Sequence, residues 1–341
     1  MKKEFFRMFG KLFAILALVI FVASCSDDST TEPAIVESEV LAKYFGDNVG
    51  YPLSAQIISA TDLDAKIKAD PSKLLIIDIR NDSVYKVCHI PGAIFMPLKD
   101  LYTYFKANEA TIKSKELVAI TCFTGQSAGY SVSLLRGMGF SNVKSLKFGM
   151  ASWSDKFAGN LNNAVKNDFA ALLVNSPVAK PAVGTVMPTL STGKKTAAEI
   201  ADARAQYLFE KGYSTTGADA CAITASVVMN DPSKYFIINY WPSAQYNDFG
   251  HIPGAYNFVP ADNELNYAKF LKALPIDKEI VVYCYTGQTS AYMVAYLRMM
   301  GYNARSLQTG MQGMAIEKMK TMTGYSYWDQ TKECKNLSCG N

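Results

Sequence analysis

The feature that most constrains the fold of this chain is an internal repeat. The pentapeptide His-Ile-Pro-Gly-Ala at 89–93 recurs at 251–255, and a loop that begins at Cys122 recurs at Cys284, with the same spacing of 162 residues. Chance does not place a pentapeptide and a cysteine loop at one spacing twice, so the chain contains two copies of one unit. Two similar domains in tandem are therefore predicted, rather than one large domain.

Each copy has the pattern of an α/β unit. In the first copy, the run 74–79 is short and nearly continuously apolar, as in a strand buried on both faces of a sheet. The segments 117–121 and 143–146 are predicted as a central strand and another strand. A helical pattern over 127–138 follows the central strand and ends at Gly139. Strands that alternate with helices predict a small parallel sheet with helices on both faces in each domain.

Each cysteine loop stands between a predicted strand and a predicted helix. The loops are Cys122-Phe123-Thr124-Gly125-Gln126-Ser127 and Cys284-Tyr285-Thr286-Gly287-Gln288-Thr289. Backbone N–H groups converge at a helix N-terminus, where the helix dipole favours an anion, so a thiol there forms the nucleophilic thiolate more easily. Gly125 and Gly287 allow each loop to curl its amides around the sulfur. Ser127 and Thr289 are expected to cap the helix or to donate a hydroxyl hydrogen bond.

At these residues the chain resembles the rhodanese family of sulfurtransferases in tandem form. The resemblance covers roughly residues 54–157 and 216–318 and rests on four motifs of the first copy. These motifs are Asp78-Ile79-Arg80, His89-Ile90-Pro91-Gly92-Ala93, the Cys122 loop, and Phe148-Gly149-Met150 with Trp153. The second copy keeps the pentapeptide and the loop, but has Asn239-Tyr240-Trp241 and Met314 where the first motif and the tryptophan are expected. These departures raise the question of whether the second copy has the same activity or substrate.

The resemblance implies transfer of sulfane sulfur through a cysteine persulfide on Cys122 and Cys284, without a cofactor or a metal. The remaining loop residues, 123–127 and 285–289, would bind the persulfide. The implied partners are a small donor, such as thiosulfate, a persulfide or a polysulfide, and a thiol or cyanide acceptor. The sequence names no protein partner. The alternative function is a non-catalytic envelope lipoprotein that carries sulfur or binds a partner.

Two other groups in these motifs have more than one interpretation. Asp78 and Arg80 are expected to form a structural ion pair or the rim of the site. His89 and His251 are the only histidines, and a structural role in ordering a turn is favoured over a role as base.

A phosphatase loop is disfavoured, because it needs an arginine at the sixth position after the cysteine to hold the oxyanion. Ala128 and Ser290 stand there.

The first 25 residues have the pattern of an export signal. Four basic residues, with Lys11 the last, precede an apolar run over 12–22. The run ends in Val-Ala-Ser-Cys, which resembles the bacterial lipobox and makes Cys25 the lipidation site; plain secretion is the alternative. We therefore expect a lipid-anchored protein of the cell envelope, on the periplasmic side or the cell surface. Without residues 1–25 the chain has 30 basic and 29 acidic residues, which argues against a nucleic-acid partner.

The predicted organisation has six parts. They are a lipoprotein signal peptide (1–25), a tether (26–53), a first rhodanese-like domain (54–159), a linker (160–205), a second rhodanese-like domain (206–325) and a cysteine-containing tail (326–341). A helical pattern over 196–211, closed by Gly212, leads into the second domain.

Four cysteines remain outside the loops and the lipidation site. They are Cys88, Cys221, Cys334 and Cys339. Export exposes a protein to an oxidising compartment, which favours disulfides, and four cysteines allow three pairings. Cys334 and Cys339 are close together in the tail and are the preferred pair. Cys88 is either a resolving thiol for Cys122 or, as we favour, a passive buried thiol.

Overall fold

The computed structural model describes residues 35–47, 56–323 and 326–340, which contain ten strands and fourteen α-helices. The strands are β1 (Ile57–Ile58), β2 (Leu74–Asp78), β3 (Ala93–Phe95), β4 (Leu117–Thr121), β5 (Val143–Leu146), β6 (Ala222–Ile223), β7 (Phe236–Asn239), β8 (Tyr256–Asn257), β9 (Ile280–Tyr283) and β10 (Ala304–Leu307). The helices are α1 (Glu37–Asp47), α2 (Ala60–Ala69), α3 (Asp82–Val87), α4 (Leu101–Ala107), α5 (Glu109–Lys113), α6 (Gln126–Gly137), α7 (Met150–Trp153), α8 (Gly159–Asn162), α9 (Ala197–Lys211), α10 (Ala225–Asn230), α11 (Ser243–Asp248), α12 (Gln288–Met299), α13 (Ile316–Lys320) and α14 (Gln330–Glu333).

Five parallel strands form the sheet of the first domain, in the order β1-β5-β4-β2-β3. The central strand β4 pairs with β2 from Leu117 to Thr121, and all five of its residues are buried. This burial on both faces explains why the first four residues of β4 form a continuous apolar run in the sequence. The carboxyl end of β4 lies at the middle of the sheet edge, and the first cysteine loop leaves the sheet there.

The second domain repeats this topology strand for strand. Its sheet has the order β6-β10-β9-β7-β8, again with parallel pairing, so β9 takes the central position of β4. Its four residues, Ile280–Tyr283, are all buried. The predicted fold of two tandem α/β units, each a small parallel sheet flanked by helices, is confirmed.

The two sheets belong to one compact unit, Val36–Asn341, and meet through helices α6 and α12. These are the helices that follow the two cysteine loops. Tyr130 of α6 and Tyr292 of α12 are fully buried in the same hydrophobic cluster. Gly129 brings the helix backbones close together, because a Cβ atom there would lie 2.8 Å from the Gln288 carbonyl oxygen. The two loops therefore begin helices that pack directly on each other.

The segments outside the two sheets are more ordered than their predicted names suggest. The predicted signal peptide, with Cys25, lies outside the described residues. Of the predicted tether, 26–53, the structure describes residues 35–47. They contain the helix α1, whose Leu41 and Phe45 are buried in the core, so this helix is not part of a free tether. Within the predicted linker, Val174 pairs with His251 of the second domain. Burial of apolar side chains stabilises α1 against the core. Two backbone hydrogen bonds, at 2.9 and 2.8 Å, hold Val174 to His251.

The helix predicted over 196–211 is present as α9. Thr196 and Glu199 form a reciprocal capping box at its start, and Gly212, with a φ of 72°, ends it. In 35–47, 56–323 and 326–340, none of the helices has the length and hydropathy that a membrane span requires.

A disulfide joins the tail to the first domain. Cys88 is bonded to Cys339, and Cys334 is a free thiol, so the preferred pairing of Cys334 with Cys339 is wrong. The tail lies across the end of α7 instead of folding on itself. Its Leu337 N–H donates to the Trp153 carbonyl at 2.8 Å, and its Gly340 N–H donates to the His89 carbonyl at 2.8 Å. These backbone hydrogen bonds bring Cys339 next to Cys88. Because Cys88 is in a disulfide, it is not the passive buried thiol that the sequence analysis favoured, and it cannot act as a resolving thiol for Cys122.

We expect Cys339→Ser to lower the free energy of unfolding by about 3 kcal/mol, because the disulfide restricts the unfolded chain. The bridged cysteines are 251 residues apart in sequence. Urea unfolding without reductant measures the difference. Cys334→Ser is the matched control, since it removes a free thiol from the same tail. It should change stability by less than about 1 kcal/mol. Equal losses in the two variants would contradict the pairing.

Candidate active site

Cys122 lies where β4 gives way to α6. Gly125 is the N-cap of α6 with a φ of 87°, a left-handed conformation that glycine adopts readily. This turn directs the Gly125 N–H to the Cys122 sulfur, at an N–S distance of 3.1 Å. The loop therefore places a backbone donor on the sulfur, at the positive end of a helix.

Cys284 has the same setting with more donors. The N–H groups of Gly287 and Ser290 lie 3.2 and 3.3 Å from its sulfur. The Ser290 hydroxyl oxygen is 3.6 Å from the same sulfur and 2.9 Å from Ser306 Oγ. Sequence reasoning did not assign Ser290 to the site. The signal was a hydroxyl at the position where the first copy has Ala128.

The helix-capping role expected for Ser127 and Thr289 is wrong, and their alternative role as hydroxyl donors stays a prediction. Gly125 and Gly287 are the N-caps of α6 and α12, without a side-chain cap hydrogen bond. Ser127 and Thr289 lie in the first helical turn, where their side chains are half-buried. The capping position comes two residues earlier than predicted, because each glycine makes the turn into the helix by its positive φ.

Both thiols lie just beneath the surface. Cys122 is 4% exposed and Cys284 is 2% exposed, while the two residues after each cysteine are half-buried. In the first site Phe123 and Thr124 form this rim, and in the second site Tyr285 and Thr286 do so. Each sulfur is thus shielded from bulk water beside an accessible rim.

A second loop forms the floor of each site. In the first domain, the Met150 N–H donates to the Cys122 carbonyl at 2.7 Å, and the Ala151 N–H donates to the Phe123 carbonyl at 3.1 Å. Gly149 makes this approach possible, because a Cβ atom on it would lie 2.4 Å from the Cys122 carbonyl oxygen. Gly310 holds the equivalent place beside Cys284, also at 2.4 Å from the carbonyl.

Asp78 and Arg80 form a fully buried ion pair, with 2.7 Å between Arg80 Nη2 and Asp78 Oδ2. The same guanidinium nitrogen donates to the Cys88 carbonyl at 2.7 Å. The central carbon of the Arg80 guanidinium, Cζ, lies 5.5 Å from the ring centroid of Phe123 and 4.3 Å from that of Phe157. The expected structural ion pair is therefore present. Its two side chains are fully buried behind the Phe123 ring, so they do not form the rim themselves.

The second site replaces this charged pair by neutral groups. Asn239 stands in the place of Asp78, and its Oδ1 accepts a hydrogen bond from Asn257 Nδ2 at 2.9 Å. Trp241 stands in the place of Arg80 and packs on the rim ring of Tyr285 at a centroid distance of 4.8 Å. The two sites therefore share the sulfur-binding backbone but differ in the charge behind the rim.

The two histidines order turns. His89 stacks on Tyr85 at 4.0 Å between ring centroids, and its Nδ1 lies 2.9 Å from the Tyr85 carbonyl oxygen. His251 stacks on Tyr246 at 3.7 Å, with Nδ1 3.0 Å from the Tyr246 carbonyl oxygen. This geometry agrees with the structural role favoured by the sequence. In the described part of the chain, no group of three or more His, Cys, Asp or Glu residues could hold a metal ion.

Burial lowers the pKa of His251 from its ordinary value of 6.5, against hydrogen bonds to the Tyr246 and Ser176 carbonyls, which raise it. The folded protein therefore binds fewer protons at this site than the unfolded chain. Its stability falls as the pH drops through 6.5 toward the folded pKa. We expect the stability gap between wild type and His251→Gln to narrow from about pH 7 to pH 5. Melting temperatures measure this gap, and a constant gap would contradict the assignment.

Comparison with known proteins identifies the family. The sequence model of the Rhodanese-like domain matches residues 59–156 and 190–317, which are more than half of the chain. The chain belongs to the rhodanese-like domain family. It contains two such domains in tandem, as the repeat predicted.

Individual relatives are similar over shorter stretches. YrkF of Bacillus subtilis (strain 168), named as a candidate sulfur carrier protein, is 29% identical over 99 residues, or 29% of this chain and 51% of the relative. The thiosulfate sulfurtransferase GlpE of Pseudomonas entomophila (strain L48) is 29% identical over 85 residues, or 25% of this chain and 74% of the relative. The match to the solved structure of a thiosulfate sulfurtransferase from Pseudomonas aeruginosa covers 89% of this chain and 48% of that one, at 15% identity and a TM-score of 0.28. The chain thus spans about half the length of the Bacillus relative.

Proposed function

We propose that the protein is a sulfurtransferase that moves sulfane sulfur through a persulfide on Cys122 and on Cys284. Sulfurtransferase-type function is supported at the level of the family. The observation that carries the proposal is a cysteine sulfur that accepts a hydrogen bond from the N-cap glycine amide at a helix N-terminus, built twice in one chain. Such amides stabilise a sulfur anion in the way that an oxyanion hole stabilises oxygen.

The proposed reaction has two displacements at sulfur. The cysteine thiolate attacks the outer sulfur of a donor such as thiosulfate. A new S–S bond forms, the donor's S–S bond breaks, and sulfite leaves with its electron pair. A thiol or cyanide then attacks the terminal sulfur of the persulfide, and the cysteine leaves as thiolate, ready for the next cycle. The cysteine sulfur itself carries the transferred sulfur atom, so the proposed reaction requires no cofactor.

The neutral rims bear on the donor. Neither loop contains Lys or Arg, and the guanidinium behind Phe123 is paired with Asp78. A dianionic donor would therefore meet little net positive charge beside the sulfur. This weakens the case for thiosulfate as the donor and favours a persulfide group, which carries a single charge, most clearly at Cys284, where Trp241 replaces the arginine.

The second candidate function is a carrier that holds sulfur, or binds a partner, without turnover. The replacement of the buried ion pair by Asn239 and Trp241, and the presence of Met314 where the first copy has Trp153, favour this function for the second domain. The name of the Bacillus relative, which refers to sulfur carriage, is consistent with it.

For the cellular location we propose a lipid anchor at Cys25 and a position in the cell envelope. The apolar run and the Val-Ala-Ser-Cys sequence support this proposal. Bacterial lipoproteins usually carry several acyl chains on this cysteine, and more than one chain is needed for stable anchoring. Membrane partitioning of wild type and Cys25→Ala tests it, and equal release of both into the soluble fraction would contradict it.

Intact-mass measurement tests the function. We expect the protein to gain the mass of one sulfur atom per loop cysteine after incubation with thiosulfate or polysulfide, and to lose it when cyanide is added. Repeated cycles that accumulate thiocyanate support the sulfurtransferase. Gain of sulfur without turnover for any donor would favour the sulfur carrier. No gain at either cysteine would reject both the sulfurtransferase and the sulfur carrier, and would favour the partner-binding function.

A further inference from the structure

A glutamine from each domain reaches the cysteine loop of the other. Gln288 follows Gly287 at the start of α12, but its side chain lies in the first domain. Its Nε2 donates to Ser145 Oγ at 2.8 Å and to the Leu146 carbonyl at 3.0 Å, and its Oε1 accepts from the Phe148 N–H at 3.2 Å. Gln288 is only 2% exposed, so these three hydrogen bonds are shielded from water.

The partners of Gln288 belong to the floor of the first site. Leu146 ends β5, and Phe148 precedes Gly149, which approaches the Cys122 carbonyl. Gln288 also contacts the cysteine loop itself, because a Cβ atom on Gly125 would lie 2.6 Å from Gln288 Oε1. Gly125 supplies the N–H that is bonded to the Cys122 sulfur. One side chain of the second domain therefore touches both the floor and the sulfur-binding turn of the first.

Gln126 makes the reciprocal contact with fewer bonds. Its Oε1 accepts from the Thr309 N–H at 3.0 Å, in the floor of the second site. A Cβ atom on Gly287 would lie 2.7 Å from the same oxygen. Its Nε2 donates to Thr124 Oγ1 at 3.2 Å and so remains in its own loop. Gln126 thus makes one hydrogen bond across the interface, where Gln288 makes three.

The second domain uses a serine where the first depends on Gln288. Ser306 is the equivalent of Ser145, and its hydroxyl pairs with Ser290, which also contacts the Cys284 sulfur. In the first domain Ala128 takes the place of Ser290, and Gln288 binds the Ser145 hydroxyl instead. The first site is therefore the one that needs the other domain more.

We propose that Gln288 is a positioning residue for the Cys122 site and that Gln126 is a weaker one for the Cys284 site. Neither glutamine contacts the sulfur directly. Each contacts the floor of the other domain's site and the glycine turn whose N–H donates to the cysteine sulfur there. The inference rests on the proposed function of the two cysteines and deepens it, because each persulfide loop is completed by the domain to which it does not belong.

Single-cysteine proteins test this reciprocity. Cys284→Ala leaves Cys122 as the only loop thiol, and Cys122→Ala leaves Cys284. Gln288→Met is added to each, since methionine keeps the length of the side chain but loses its three hydrogen bonds. We expect sulfur loading of Cys122 from polysulfide to slow about tenfold, and loading of Cys284 to slow by less than about threefold. Gln126→Met should show the opposite preference, with a smaller effect.

Alkylation by iodoacetamide across pH, with each cysteine identified by peptide mass, is the second readout. It needs no sulfur donor, so it reports positioning even if the proposed function fails. We expect Gln288→Met to move the pH profile of Cys122 upward by more than that of Cys284, while the circular dichroism stays native and melting stays cooperative at a lower temperature. A larger shift at Cys284, or no shift at either cysteine, would overturn the proposal. If Gln288→Met does not fold, Gln126→Met in the two single-cysteine proteins is the deciding test. A larger shift of the pH profile at Cys122 than at Cys284 in these variants would overturn the proposal.

Discussion

A protein in which Cys122 and Cys284 are both alanine should transfer no sulfur above the uncatalysed rate. The thiolate carries the sulfur between donor and acceptor, so its removal should lower turnover by roughly a thousandfold or more. Thiocyanate formed from cyanide, with thiosulfate or polysulfide as donor, measures the rate. Each single variant should retain the contribution of the other domain, and their difference gives the share of each site.

Cys334→Ala is the control for this experiment, because Cys334 is a free and partly exposed thiol outside both loops. It should retain wild-type turnover. Substantial turnover in the double variant would show that neither loop cysteine carries the sulfur. If Cys122→Ala alone removed all activity while Cys284 still gained sulfur, the second domain would be a carrier and the first the enzyme.

Gly149→Ala should destabilise the protein by about 4 kcal/mol and remove sulfur loading at Cys122. Gly149 has φ 55° and ψ −150°, a conformation that is nearly restricted to glycine. A Cβ atom there would lie 2.4 Å from the Cys122 carbonyl oxygen and 2.7 Å from the Gly125 nitrogen. Both are backbone atoms of the cysteine loop, so the clash can be relieved only by opening the loop. Urea unfolding and mass-detected loading measure the two effects.

Gly139→Ala separates backbone strain from the clash. Gly139 has a φ of 92°, but no atom lies within 4 Å of the position that its Cβ would take. This variant should lose only about 1 kcal/mol, from strain alone, and should keep loading at Cys122. Gly310→Ala should impair Cys284 as Gly149→Ala impairs Cys122. Similar losses for Gly139→Ala and Gly149→Ala would show that the floor is not packed as described.

The sequence predicts the fold well where a structural element depends on residues that are close together in the chain, or where its pattern occurs in both copies. The strand 117–121 is apolar in its first four residues because it is central and buried on both faces, so its position is readable without a structure. Gly139 and Gly212 end helices with positive φ, which other residues adopt at a cost. The cysteine loops are located for the same reason, since a strand, a glycine turn and a helix leave their marks within a few residues.

The features that sequence reasoning missed depend on contacts between distant residues. Nothing in the tail indicates that Cys339 meets Cys88 rather than Cys334, because the register of the tail on the first domain selects the pair. Gln126 and Gln288 are polar loop residues in the sequence, and only the packing of α6 on α12 sends their side chains across the interface. The burial of α1 likewise depends on α9, which lies far along the chain.

The bridge between residues 88 and 339 turns most of the polypeptide into a covalent circle that encloses the second domain. The exposed stretch around Val183 and Val186 lies inside that circle. A protease that cuts there would leave two fragments still held as one molecule on a non-reducing gel, and they would part only after reduction. The fragment with Cys122 and the fragment with Cys284 would therefore stay covalently linked after cleavage. Without the disulfide, the same cleavage would leave no covalent link between them.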